Sequence, residues 1–192
     1  MRSIVCLLLL GIISGCQSSH RWQQTCVPLA ATANYCLAPL PWQQHVTPLP
    51  ADIAQQVRFE HNGKAQELLL QLQFAPENEI MVGLAPLGQS LFTLSFDGNT
   101  LNSEHSVLLA SNFRGDYLMA VQQLVYWPAA MVQQAIPEAN IRDFRCQQGY
   151  CRELTLNGKM LASIHYEQTP GWQSPVAVEL PDANLRLTIK PM

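Results

Sequence analysis

Charge is scarce in this chain. Lysine, arginine, aspartate and glutamate make up 13% of its 192 residues, about half the share usual in a soluble domain. Glutamine pairs such as Gln43-Gln44, Gln55-Gln56 and Gln122-Gln123 supply polarity in their place. The lysines and arginines form no cluster and the net charge is −3, which excludes the basic footprint a nucleic-acid backbone requires. A phosphate-binding loop, a dinucleotide glycine fingerprint, a Gly-x-Ser-x-Gly elbow and a His-Glu-x-x-His helix are all missing. The five histidines, His20, His45, His61, His105 and His165, stand without helical or turn pairing. His165, next to Tyr166 in a strand-like run, has the most sheltered setting, and carboxylates such as Asp116 and Glu153 occupy ordinary amphipathic positions. The expectation is a protein that is not an enzyme and takes no cofactor.

No apolar run reaches the length of a bilayer-spanning helix. Arg2 precedes Ile4-Val5-Cys6-Leu7-Leu8-Leu9-Leu10-Gly11-Ile12-Ile13, which has the length of a secretory signal core. That run ends in Ile13-Ser14-Gly15-Cys16, a stretch that resembles the bacterial lipobox and implies cleavage before a diacylated cysteine. Residues 1–15 are then a lipoprotein signal peptide and Cys16 the lipidation site. Two or three acyl chains, at about 0.8 kcal/mol per buried methylene, hold a protein on a membrane without further help. Gln17 stands where, by enterobacterial sorting rules, an aspartate would retain the protein at the inner membrane, so the implied location is the periplasmic face of the outer membrane.

Cys26, Cys36, Cys146 and Cys151 remain. An even number in an oxidising compartment points to two disulfides. Of three connectivities the favoured one joins Cys26 to Cys36 and Cys146 to Cys151, because Gln147-Gln148-Gly149-Tyr150 suits a short loop between paired strands. Zinc is the second reading; with no Cys-x-x-Cys pair present, it is the weaker one, and no metal site is expected.

Residues 16–50, with Pro28, Pro39, Pro41, Pro48 and Pro50, read as tether and lead-in to a single domain over 51–192. From Gln55 the pattern has a period of two. Val57 and Phe59 precede a His61-Asn62-Gly63-Lys64 turn. Leu68, Leu70, Leu72 and Phe74 then share a face, followed by Ile80, Val82 and Leu84, and by Phe92, Leu94 and Phe96 before an Asp97-Gly98-Asn99 turn. This predicts a five-stranded antiparallel meander whose apolar face needs a cover. The cover is the helical stretch 111–136, capped by Ser111 or Asn112, carrying Leu118, Val121, Leu124 and Val125 at helical spacing and interrupted by Pro128. Strands return over 141–146, 151–156, 159–166, 176–180 and 185–189. Between the third and fourth strands Ala85-Pro86-Leu87-Gly88 forms a tight turn, with a leucine at its tip where polar residues are usual.

Four features, in this order, resemble LolB and the LolB-like lipoproteins often associated with aryl polyene pathways. They are the lipobox; Leu84-Ala85-Pro86-Leu87-Gly88 followed by the alternating Gln89 to Leu94; the helical block from Leu108-Leu109 through Arg114-Gly115-Asp116-Tyr117 to Tyr126-Trp127; and the ending Ile164-His165-Tyr166, Val178-Glu179-Leu180-Pro181, Leu185 to Ile189. The resemblance implies a mainly β fold with α: an unclosed antiparallel β-barrel wrapped around short central helices, with an apolar cavity for acyl chains. Its walls would come from Leu70, Leu72, Phe74, Val82, Phe92, Leu94, Leu118, Val121 and Leu124. Pro86, Leu87 and Gly88 match the protruding loop with which LolB releases cargo into the membrane. An acylated cargo, lipoprotein or glycolipid, and a periplasmic LolA-like carrier are the implied partners. The four cysteines, the proline-rich lead-in and the helix ending in Tyr126-Trp127-Pro128 depart from LolB, so the cargo class is not carried over. The competing expectation is an envelope scaffold, without transport, for assembly of a glycolipid or polyene pathway. An acyl-processing enzyme would need a polar dyad that the sequence does not offer.

Overall fold

The computed structural model describes residues 24–109 and 113–192. The signal segment 1–15, Cys16 and the helix caps expected at Ser111 or Asn112 lie outside them. Strands β1 (Cys26–Ala30) and β2 (Ala33–Cys36) form a hairpin of their own. Ten further strands make one antiparallel sheet: β3 Ile53–His61, β4 Lys64–Ala75, β5 Asn78–Leu84, β6 Ser90–Phe96, β7 Leu101–His105, β8 Asn140–Arg145, β9 Tyr150–Leu156, β10 Lys159–Tyr166, β11 Val176–Leu180 and β12 Leu185–Pro191. Two short helices, α1 (Gly115–Tyr126) and α2 (Ala129–Ala135), connect β7 to β8.

The order across the sheet is β7-β6-β5-β4-β3-β12-β11-β10-β9-β8. It consists of two five-stranded meanders joined along β3 and β12, with β7 and β8 as its edges, so the barrel does not close. Local turn chemistry sets each meander: Asn62-Gly63 and Asn157-Gly158 both have positive φ at each central residue, as two-residue hairpin turns require. The chain leaving one edge must reach the other, and this crossing carries α1 over the concave face. Arg152 on β9 donates to the carbonyls of Leu124 and Trp127, which have no partner within the helix. The Tyr166 hydroxyl on β10 donates to the Val125 carbonyl, and burial pushes its pKa up to about 12. Gln122 donates to Glu79 on β5, and Gln55 on β3 to the Tyr126 hydroxyl. One helix is thus bonded to strands of both meanders.

The helical stretch is shorter at each end than the expected 111–136. Arg114 occupies the N-cap of α1 with no side-chain cap bond. Asp116 in the first turn accepts the Tyr117 amide hydrogen, and the Arg114 guanidinium beside it holds its carboxyl below the usual range. Trp127 is extended because a proline follows it.

Two expectations are corrected. Residues 26–42 are not a lead-in: Val27, Leu29, Ala33, Tyr35, Leu37, Leu40 and Trp42 are all in the buried core. Gln123 on α1 bonds the backbone N–H and C=O of Ala38, and accepts from the Tyr35 hydroxyl. The second correction concerns β5, whose core face is Glu79, Met81 and Gly83; Val82 lies on the opposite face with Ile80 and Leu84. The two-residue turn Pro76-Glu77 pairs Ala75 with Asn78, which sets Leu72 opposite Met81 and Leu70 opposite Gly83. Directly opposed residues share a face, so turn length overrides the apolar pattern. Two disulfides, Cys26–Cys36 and Cys146–Cys151, staple the first hairpin and the β8–β9 turn.

Candidate functional site

Antiparallel pairing sorts the loops into two ends. At one end lie the β4–β5, β6–β7, β8–β9 and β10–β11 connections; at the other, here called the mouth, lie the β3–β4, β5–β6, β9–β10 and β11–β12 turns and the β7–α1 connector.

The far end is closed by aromatic rings. Trp42 meets Phe74 and Trp127 edge-on, and Trp172 stacks on Tyr126 with centroids 3.9 Å apart. The Trp42 and Trp127 indoles donate to the carbonyls of Ala75 and Pro39 at 3.0 and 2.8 Å. Burial pushes the Tyr126 hydroxyl pKa up.

The mouth is open. The turn over Ala85-Pro86-Leu87-Gly88 closes with a 2.8 Å bond from the Gly88 amide to the Ala85 carbonyl. Gly88 takes φ +83°, the left-handed residue that follows a type I turn in a bulged hairpin. Leu87 therefore stands at the apex, 88% exposed. Beside it a groove of about 560 Å³ runs between this loop, the start of β4 and the β7–α1 connector. Its apolar lining is Phe59, Leu68, Ala85, Pro86, Leu91, Leu108, Leu109 and Phe113, and its rim carries His61, Lys64, Gln66 and Glu67. Phe113 stacks on Phe92 at 4.9 Å. The Phe92 ring in turn lies over Gly83, where a β-carbon would come within 2.2 Å of it. Gly83 is thus the position that lets the ring under the groove lie flat.

Of the residues expected to wall an internal cavity, Leu70, Leu72, Phe92, Leu94, Val121 and Leu124 are core residues, each 5% exposed or less. Phe74 and Leu118 pack at the edge of that core, and Val82 faces away from it. The groove at the mouth is lined by other residues, and sequence reasoning missed Phe59, Leu91, Leu108, Leu109 and Phe113 among them; a space of similar volume beside Trp42 at the far end has His45 and Glu77 in its lining. Leu91 abuts a stretch already read as strand and Phe113 falls inside the stretch read as helical, but which loops meet at one end depends on topology.

Glu79 is fully buried with one carboxyl oxygen bonded by Gln122; its other oxygen and the Gln122 amide oxygen have no partner. Burial pushes the carboxyl pKa up to about 8. The neutral acid has one proton to donate, and the amide has one free acceptor. The sulfurs of Cys146 and Cys151 and a ring nitrogen of His165 lie within 4.8 Å of one another, but both sulfurs are held in the disulfide. No helix among the described residues is long and apolar enough to cross a membrane.

Residues 52–192, the whole ten-stranded sheet with its helices, match the family described as a protein of unknown function, DUF3261. The chain belongs to that family. No curated protein matches it. The DUF3261 match leaves out the β1–β2 hairpin, which packs on α1 of the matched region.

Proposed function

We propose that this DUF3261 protein is an outer-membrane lipoprotein that accepts an acylated cargo, lipoprotein or glycolipid, at the mouth of its sheet and delivers it to the bilayer. The apolar groove beside an 88% exposed leucine carries this reading. Leu87 contributes about 1.5–3 kcal/mol on entering an apolar phase, little beside a diacyl anchor on Cys16, so its use is in transfer and not in attachment. A leucine dipping into the bilayer edge lowers the barrier for an acyl chain moving from groove to membrane. No catalytic step is involved. Cargo reaches the groove from a periplasmic LolA-like carrier.

A Leu87→Glu variant tests the delivery step. It should fold as the parent does, still bind a fluorescent fatty acid, and lose transfer of that ligand to acceptor vesicles. Transfer at the parental rate sinks the delivery role, and absence of fatty-acid binding by the parent sinks the groove. The filled interior favours a second reading, a scaffold for assembly of a glycolipid or polyene pathway. That reading requires crosslinks from the mouth to protein partners and none to lipid.

A further inference from the structure

The β7–α1 connector holds a feature that the delivery loop does not explain. Val107 and Leu108 are 98% and 67% exposed. Their loop lies at the same end as the Leu87 turn, because β7 ends where β6 begins: Phe92 pairs with His105 and the Ser106 amide donates to the Leu91 carbonyl. The groove opens between the two loops, with Pro86 on one side and Leu108 on the other. Neither loop tip carries charge, since residues 85–89 and 106–109 lack Asp, Glu, Lys, Arg and His; the connector's one charged residue, Arg114, stands at the helix start and is paired with Asp116. Exposed apolar residues elsewhere lie in different surroundings. Val46 and Leu49 are half-exposed; Val46 follows His45 directly, Leu49 shares a surface with His45 and Glu77, and Met192 follows Lys190 by two positions.

We propose that Val107 and Leu108 form with Leu87 a two-point contact with a phospholipid bilayer, seating the open groove against the membrane surface. This rests on the delivery reading above and names its partner surface. Three features of the chain select lipid as the occupant. Two loop tips free of charge can enter the headgroup boundary without stripping water from an ion, a cost that any Asp, Glu, Lys or Arg at the tips would bring. Lys64 at the groove rim can meet an anionic headgroup, because the acid near it, Glu67, is already paired with Arg58. Eight residue steps separate Cys16 from Gln24, a reach of at most about 28 Å at full extension. The Ala31-Thr32 turn of the first hairpin lies with the mouth turns at Asn157 and Asp182, and Gln24 stands seven residues behind it, about 23 Å along an extended chain, so that reach brings an acylated Cys16 level with the mouth. Two contacts also do what one cannot: a single leucine leaves the protein free to pivot, whereas two loops flanking the groove fix its opening toward the lipid.

The test places a cysteine, in separate variants, at Leu87, Val107, Leu108 and, as reference, Val46. Each is labelled with an environment-sensitive fluorophore in the full chain reconstituted into vesicles of phosphatidylcholine and phosphatidylglycerol. Bromines placed along the acyl chain report depth. Probes at 87, 107 and 108 should be quenched most by shallow bromines, about 5–10 Å below the interface as for an interfacial segment, and the probe at 46 should not. If 107 and 108 are quenched no more than 46 while 87 is, the second contact is wrong and the delivery loop stands. If none of the three is quenched, the loop reading falls with it. A blue shift at 107 and 108 without bromine quenching reports burial against protein and also overturns the lipid contact.

Discussion

At the far end of the sheet five aromatic rings, Trp42, Phe74, Tyr126, Trp127 and Trp172, interlock with centroids 3.9–6.3 Å apart. At the mouth, Leu87, Val107 and Leu108 stand in solvent around an open groove. Both ends are rich in apolar side chains, and what separates them is whether those side chains find one another. The far end draws its rings from four separated segments, 42, 74, 126–127 and 172, so it forms only when the whole chain is folded. The mouth offers residues from two adjacent loops that touch little besides the groove. The first arrangement stabilises the fold, and the second leaves free energy to be gained by contact with something else.

The largest expected effect comes from the closed end. Trp127→Ala removes a fully buried ring and its indole bond to Pro39, and should cost about 3–5 kcal/mol in chemical denaturation. A loss below about 1 kcal/mol would mean the far end is not the closed one.

The buried acid between β5 and α1 comes next. Its carboxyl, near 4.5 when unfolded and about 8 when folded, binds its proton more tightly in the native state. Its contribution is therefore complete below the unfolded value and is lost as pH rises through the folded one, at roughly 1.4 kcal/mol per pH unit between those limits. Glu79→Gln should flatten this part of the stability–pH curve and leave the protein more stable at pH 8 than the parent. Parallel curves for the two proteins would show that Glu79 ionises freely.

A smaller effect is expected under the groove. Gly83→Ala drives a methyl into the Phe92 ring and should cost about 1–3 kcal/mol, with weaker fatty-acid binding because Phe113 loses its stacked support. The smallest effect on stability is at the mouth itself: Leu87→Ser and Val107→Ser should each change unfolding by less than about 0.5 kcal/mol. A larger loss at either position would place that side chain in the fold and erase the contrast between the ends.

Much of the sheet was legible because strand alternation and turn chemistry are local. Asn62-Gly63 and Asp97-Gly98 marked turns where the chain turns, and Leu68, Leu70 and Leu72 face the core as their spacing suggested. Strand β5 misled because Ile80, Val82 and Leu84 are the more apolar set, while a two-residue turn set the register that buries Glu79 instead. The first hairpin hid behind its prolines. Its signal was nonetheless present: Val27 and Leu29 alternate with Pro28, and Ala33 and Tyr35 with Asn34, around a turn at Ala31-Thr32. The tip at Leu87 could be read from turn composition alone. The groove could not, because Phe59, Leu68, Leu91 and Phe113 come from four elements that only the topology brings to one end.

The seam between the two meanders has a consequence for how the chain matures. Leu185 pairs with His61 and Pro191 with Gln55, partners separated by most of the domain. Hairpins of the first meander can form as soon as they emerge, yet the open side of β3 waits for the last strand. Until then it presents unpaired backbone groups to any passing strand, and contacts so distant in sequence form slowly. The C-terminal segment is thus the latch of the fold, and a chain cut before Leu185 would be left as two sheets, each with an unprotected border.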